Sequence, residues 1–221
     1  MTMGWNDKED ITFKEQILAK VRNALIEKPE AMFKDIDKRT ETWVPISEED
    51  GTAVTFAQNF KALGGVFIYL ENEAEFGECI RQLAPENGWE PLWCTSPAMQ
   101  EILKRYGIAY SDKPVREPKK KLVGLTGCEC LVAKTGSVLL SDTVSNGCDV
   151  YALPDVLLVF ATTEQIVGGL KEAFRFVRKR YGDKHPGQLT FVTGPSRTTD
   201  IEQTLVIGAH GIRQIAVFLV E

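Results

Sequence analysis

The chain has 221 residues, 43% apolar and 26% charged, an ordinary globular composition long enough for one α/β domain with a small N-terminal layer. Its 31 acidic side chains outnumber 26 basic ones, which excludes an overall field that draws in nucleic acid or an anionic membrane. No uncharged apolar run reaches the roughly 20 residues of a membrane span. The opening MTMGWNDKED has no basic-then-apolar signal pattern, and the five cysteines include no Cys-x-x-Cys pair, so a reducing cytoplasm is the expected location.

Thr12-x-x-Glu15 reads as a capping box, followed by Phe13, Ile17, Val21 and Leu25 at helical spacing, with Pro29 as the stop. Residues 31–47 read as a connector, which sets the expected division at 1–46 and 47–221. A helix over 47–63 ends at Gly64-Gly65, and the run 66–70 reads as a buried strand. Phe76, Ile80 and Leu83 mark one helix face. Residues 92–94 form a short strand, and Ser96-Pro97 starts a helix bearing Met99, Ile102, Leu103 and Tyr106. Residues 111–121 (SDKPVREPKKK) are either a solvated loop or a basic lip over an anionic partner.

Strands are then predicted over 122–125, 128–133 and 138–140, with Lys134-Thr135-Gly136-Ser137 as the tight turn between the last two. After a turn-rich stretch, 156–160 reads as a buried strand. Thr162-x-x-Gln165 caps a helix whose inward face is Ile166, Leu170, Phe174 and Val177. A strand over 188–193, a loop, a short helix to residue 207, a glycine turn and a strand over 215–220 complete the chain. This alternation predicts an α/β fold with a mostly parallel sheet and flanking helices.

The loop Gly194-Pro195-Ser196-Arg197-Thr198-Thr199-Asp200-Ile201-Glu202 falls between a predicted strand and a predicted helix, where open α/β sheets hold ligands beyond the carboxyl ends of their strands. Gly194 permits unusual dihedrals, Ser196 and Thr198 offer hydroxyls, and Arg197 offers a planar fork for carboxylate or phosphate. With the start of a helix behind them, these residues describe an anion pocket, to which Asp200 is a further candidate. Thr199-x-x-Glu202 is also a capping box, which accounts for that half of the loop without any ligand.

Two residues are candidate acid–base groups. His210, within Gly208-Ala209-His210-Gly211, either transfers protons at the same pocket or stabilises a helix end. Glu129, dropped between apolar strands, is either a general acid or base or the partner of Lys134 or Arg197 in a salt bridge. Thr135, Gly136 and Ser137 can meet the same ligand or serve only as a turn. Cys128 and Cys130 alternate on a strand, yet four ligands are wanted for zinc or an iron-sulfur cluster, so buried thiols and no metal are expected. Dinucleotide, phosphate-loop and nucleophile-elbow signatures are missing, and no cofactor is expected in this chain.

Gly124-Leu125-Thr126-Gly127, Lys134-Thr135-Gly136-Ser137, Leu153-Pro154, the Gly194 to Glu202 block and Gly208-Ala209-His210-Gly211 together resemble the successive motifs of the LUD-domain family of lactate-utilization proteins. The resemblance implies a fold like that of the sugar-phosphate isomerase and CoA-transferase group (NagB/RpiA/CoA-transferase-like). It further implies a part in oxidising L-lactate to pyruvate alongside partner proteins that carry iron-sulfur clusters. It brings no catalytic residue with it. Leu157, Ile212 and Cys148-Asp149 depart from the family pattern, where His, Pro and a basic residue are frequent. A stand-alone transferase, isomerase or ligase, or a binding protein, for a phosphorylated or carboxylated small molecule is the competing expectation.

Overall fold

The computed structural model describes residues 51–199, 205–207 and 211–221, together with Glu15, Leu18 and Lys20. The chain divides into two compact units, Met1–Thr42 and Trp43–Glu221. In the first, Glu15, Leu18 and Lys20 are helical; the remainder of the predicted N-terminal helix, its cap and the connector lie outside the described residues.

The second unit is α/β. Helix α1 (Gly51–Ala62) leads into β1 (Val66–Leu70), then α2 (Glu73–Glu86), β2 (Leu92–Trp93), α3 (Pro97–Arg105), β3 (Tyr110–Ser111) and β4 (Val123–Gly127). A pair of strands follows, β5 (Cys130–Val132) and β6 (Ser137–Ser141), then two single-turn helices, α4 (Asp142–Ser145) and α5 (Asp149–Ala152). Next come β7 (Val156–Thr162), β8 (Ile166–Val167), α6 (Leu170–Tyr181), β9 (Leu189–Val192), β10 (Arg197–Thr199), β11 (Leu205–Ile207) and β12 (Gln214–Val220). The central sheet has the order β1-β12-β7-β4-β2-β3, and its pairings are parallel.

Side-chain alternation along the central strands explains its two covered faces, as a parallel sheet requires. Leu157, Val159, Val217 and Leu219 point to one side, where they meet Phe56 and Phe60 of α1 and Leu131 and Val138 of a second sheet. Leu158, Ala216 and Phe218 point to the other, against Phe76 and Ile80 of α2 and Leu103 of α3. The second sheet, order β8-β5-β6-β9, buries its far face, Cys130, Val132 and Leu139, beneath Ala173 and Val177 of α6.

Five expectations are corrected here. The run 66–70 is a strand, but among the described residues β1 pairs only with β12 at a sheet edge, and Val66 and Tyr69 are about half exposed. Thr162 and Gln165 form their capping box around a single 3-10 turn, after which β8 pairs with β5; the helix begins only at Leu170, behind Gly169. That restart turns the helix, so its inward residues are Ala173 and Val177, while Leu170 and Phe174 are 42% and 54% exposed. Residues 205–207 are not helical: β11 pairs antiparallel with β10, Arg197 opposite Ile207 and Thr199 opposite Leu205. Leu-Val-Ile suits a strand better than a helix. Cys128 and Cys130, expected on one face, pack into different cores because the strand begins only at Cys130.

Candidate functional site

The strand before the Gly194 loop belongs to the second sheet, where β9 pairs antiparallel with β6, Val192 opposite Val138. The loop therefore reaches the amino ends of the central strands, which corrects the expected carboxyl-end position. Ser196 N–H donates to the Ile212 carbonyl at 2.8 Å, just before β12. The Arg197 guanidinium donates to the Leu63 carbonyl at 2.5 Å, between α1 and β1. Gly194 has φ 83°, and a Cβ on it would stand 2.8 Å from that same Leu63 oxygen, so close approach to α1 accounts for the glycine. Arg197–Thr199, in front of the expected helix start, form strand β10, and Asp200 and the residues to 204 lie outside the described residues.

The Lys134 to Ser137 turn packs on the same carboxyl-terminal end of α1. Ala133–Thr135 form a 3-10 turn closed by Gly136 at φ 59°. A Cβ at Gly136 would meet Phe60 N at 2.7 Å. Asn59 Nδ2 donates to the Ala133 carbonyl at 2.8 Å, tying helix to turn. Ser137 Oγ donates to Thr135 Oγ1 at 2.8 Å and lies 2.8 Å from Thr193 Oγ1, a chain of three hydroxyls. These hydroxyls and Lys134 line a cavity of about 680 Å³ whose other wall is apolar, with Leu63, Leu170, Phe174 and Phe191.

On the other side of β9 lies a cleft of about 350 Å³, lined by Tyr151, Gln188, Thr190, Gly194 and Ser196. Phe191 and Thr193 line both spaces, so β9 is their shared partition. The structure thus gathers Thr135, Gly136, Ser137, Gly194, Ser196 and Arg197 around the end of α1 and the end of β9. His210, Asp200 and the Thr198 side chain lie outside the described residues. Asn59, Tyr151, Thr190 and Thr193 complete the linings. Thr193 could have been found from its place directly before Gly194; Tyr151, remote in sequence, carried no signal.

Glu129 lies elsewhere. It is fully buried, and its carboxylate accepts from Ser141 Oγ at 2.5 Å, Tyr181 OH at 2.8 Å and Arg180 Nη1 at 3.1 Å. Its salt-bridge partner is therefore Arg180, not Lys134 or Arg197. Arg180 and Tyr181 in turn line a cavity of about 550 Å³ with Ser96, Gly127 and Gln165, at the carboxyl ends of β2, β4 and β7. Burial, and then the hydrogen bond to Glu129, push the Tyr181 phenol up to about 12. The unfolded phenol ionises near 10, so this contribution to stability is complete below that pH and lost as pH rises toward the folded value. Unfolding followed across that alkaline range should fall less steeply for Tyr181→Phe than for the wild type.

Burial pushes the Cys130 thiol up to about 12, and Cys128 well above its ordinary value, which suits packing and opposes thiolate chemistry. Among the described residues, no group of three or more His, Cys, Asp and Glu side chains is placed to hold a metal ion. The basic segment is an exposed loop whose cations are partly engaged: Lys120 pairs with Glu117 at 2.7 Å, and Lys121 donates to Gln214 Oε1 at 3.1 Å.

A family model described as the LUD domain matches residues 54–220. Lactate utilization protein C of Bacillus licheniformis is 30% identical over 118 residues, 52% of this chain and 49% of that protein. The protein of the same name from Geobacillus thermodenitrificans is 24% identical over 165 residues, 74% of this chain and 66% of that protein. The chain therefore spans between half and two thirds of the length of these relatives. Among solved structures, a DUF162 family protein from Deinococcus radiodurans superposes with a TM-score of 0.57 at 18% identity, covering 80% of this chain and 100% of that one. The mostly parallel sheet with flanking helices is consistent with the NagB/RpiA-like fold. With the family model running from α1 to the last strand, the chain belongs to the LUD domain family.

Proposed function

We propose that this chain serves lactate utilization, as an accessory subunit in the oxidation of L-lactate to pyruvate beside iron-sulfur partner proteins in the cytoplasm. The observation that carries this reading is the LUD domain match over residues 54–220, joined to relatives that bear the name lactate utilization protein C. In this reading the electrons travel through the partners, and this chain contributes binding. No helix among the described residues is long and apolar enough to cross a membrane.

The two spaces on either side of β9 are where the anionic small molecule is proposed to bind. Thr135 and Ser137 serve one side and Gly194 and Ser196 the other. Arg197 acts through position, since its guanidinium clamps the loop onto the Leu63 carbonyl. Glu129, with no exposed atom and with both oxygens accepting hydrogen bonds, fits a structural role better than acid–base work.

Two measurements test the reading. Affinity purification of the tagged chain from its native host should bring down iron-sulfur proteins, and deletion of its gene should slow growth on L-lactate while sparing growth on pyruvate. A chain that purifies without partners and whose loss leaves lactate growth untouched would overturn the assignment.

A further inference from the structure

The cavity of about 550 Å³ lies at the opposite end of the central strands from the Gly194 loop, and its place follows from the strand order. From β2 the chain steps outward through α3 to β3, then returns to β4 on the other side of β2 and moves away through β7 and β12. Leu103 of α3 packs on one face of the sheet, whereas Leu131 and Val138 of β5 and β6, on the connection from β4 to β7, pack on the other. Connections that leave in opposite directions on opposite faces open a crevice between the carboxyl ends of β2 and β4, which is where open α/β sheets hold ligands. Ser96 and Pro97 line it after β2, and Gly127 lines it at the end of β4.

Ser96 is the N-cap of the nine-residue helix α3 and is 4% exposed. A serine in that position ordinarily accepts from a first-turn amide, yet its side chain makes no capping bond. Its hydroxyl has no hydrogen-bond partner among the described residues and is not sealed from solvent, so its open side is the cavity it lines. Pro97 has no N–H to give, Gln100 N–H donates to the Ser96 carbonyl at 3.0 Å, and the amides of Ala98 and Met99 have no intrahelical partner. Ala98 and Met99 also line the cavity. Arg180 is the charged side chain among the described lining residues, and no carboxylate is among them. Its Nη1 is bonded to Glu129, which leaves Nε and Nη2 without an acceptor among the described residues. Gln165, by contrast, is committed to the Cys128 carbonyl and the Thr162 amide.

We infer that this cavity is a second anion site, which takes the phosphate group of a small organic phosphate ester. The phosphate oxygens accept from the Ser96 hydroxyl, the Ala98 and Met99 amides and the free part of the Arg180 fork, and the partial positive charge at the start of α3 adds to that of the guanidinium. These donors outnumber the two oxygens of a carboxylate, which sets the class. Pro97, Val144 and Phe160 line the remaining space and suit the organic part of the ester. Among the described residues the site shares no lining residue with the two spaces beside β9, so it stands or falls apart from the proposed role in lactate utilization.

The test titrates the full chain with phenyl phosphate and with benzoate, which offers the same ring on a carboxylate, and follows backbone amides by NMR. Phenyl phosphate is expected to bind the more tightly, with shifts centred on Ala98, Met99 and Gly127. Ser96→Ala should weaken it about tenfold, the loss of one hydrogen bond to a charged group, while melting at the wild-type temperature, since the hydroxyl caps nothing. Ser96→Asp, which places a carboxylate at the same cap, should abolish binding and leave α3 at least as stable. Arg180→Lys keeps a cation beside Glu129 but gives up the fork, and it should weaken binding as well. No binding of phenyl phosphate, shifts confined to other parts of the chain, tighter binding of benzoate, or an affinity that survives in Ser96→Ala or Ser96→Asp would each overturn the inference.

Discussion

Arg180→Met is expected to lower the free energy of unfolding by about 3 kcal/mol, the cost of leaving a buried carboxylate without its cation. Glu129 is fully buried and Arg180 is 46% exposed, so the two partners are not equivalent. Without Arg180, the Glu129 carboxylate keeps the hydroxyls of Ser141 and Tyr181 but no cation. Without Glu129, by contrast, Arg180 can turn into solvent, so Glu129→Gln should cost clearly less. The double variant should recover part of the loss, because the stranded charge is gone. Urea denaturation of the four proteins measures the coupling directly. An Arg180→Met midpoint indistinguishable from wild type would show that the pair contributes nothing.

Phe60→Ala should be comparably damaging, at about 4 kcal/mol for truncating a fully buried aromatic ring. Phe60 is fully buried and stacks on Phe56 with ring centroids 5.3 Å apart. Its backbone nitrogen also stands where a Cβ of Gly136 would have to go, so the ring fixes the helix against which the Lys134 to Ser137 turn is seated. The expected result is a lower melting temperature together with weaker binding of any ligand that touches Thr135 or Ser137. Thr135→Val, which replaces only the hydroxyl that Ser137 donates to with a methyl, separates the two effects, since it should change binding with little change in stability.

Much of this was legible because apolar runs and alternation carry the information that sets strands and helix faces. Strands β4, β7 and β12 were readable as strands, and the cap at Ser96-Pro97 marked the start of α3 correctly. What local pattern does not encode is which sheet a strand joins. β9 looks like any short strand of an α/β alternation, yet pairing with β6 removes it to a second sheet and carries the Gly194 loop to the opposite end of the central strands. Likewise Thr199-x-x-Glu202 has the letters of a capping box whether or not a helix follows, and the β-branched character of Val206 and Ile207 was the better signal. Glu129 was singled out by its apolar neighbourhood, but its partner lies on α6, whose facing was misread because the break at Gly168-Gly169 was taken as helix interior.

The place of β12 has a consequence for how the fold is reached. It lies between β1 and β7, pairing residues 66–70 with 216–220 along the same strand that pairs 214–220 with 156–162. Contacts so distant along the chain carry a large loop-closure cost and slow folding. During synthesis β1 stands without β12, its only partner among the described residues, until residue 220 has been made, and until then α1, with its contacts to the turn and the Gly194 loop, rests on an incomplete sheet. The binding region is thus among the last parts of the molecule to gain its support, and a ribosome-bound chain lacking β12 holds the sequence of the site without the sheet that positions it.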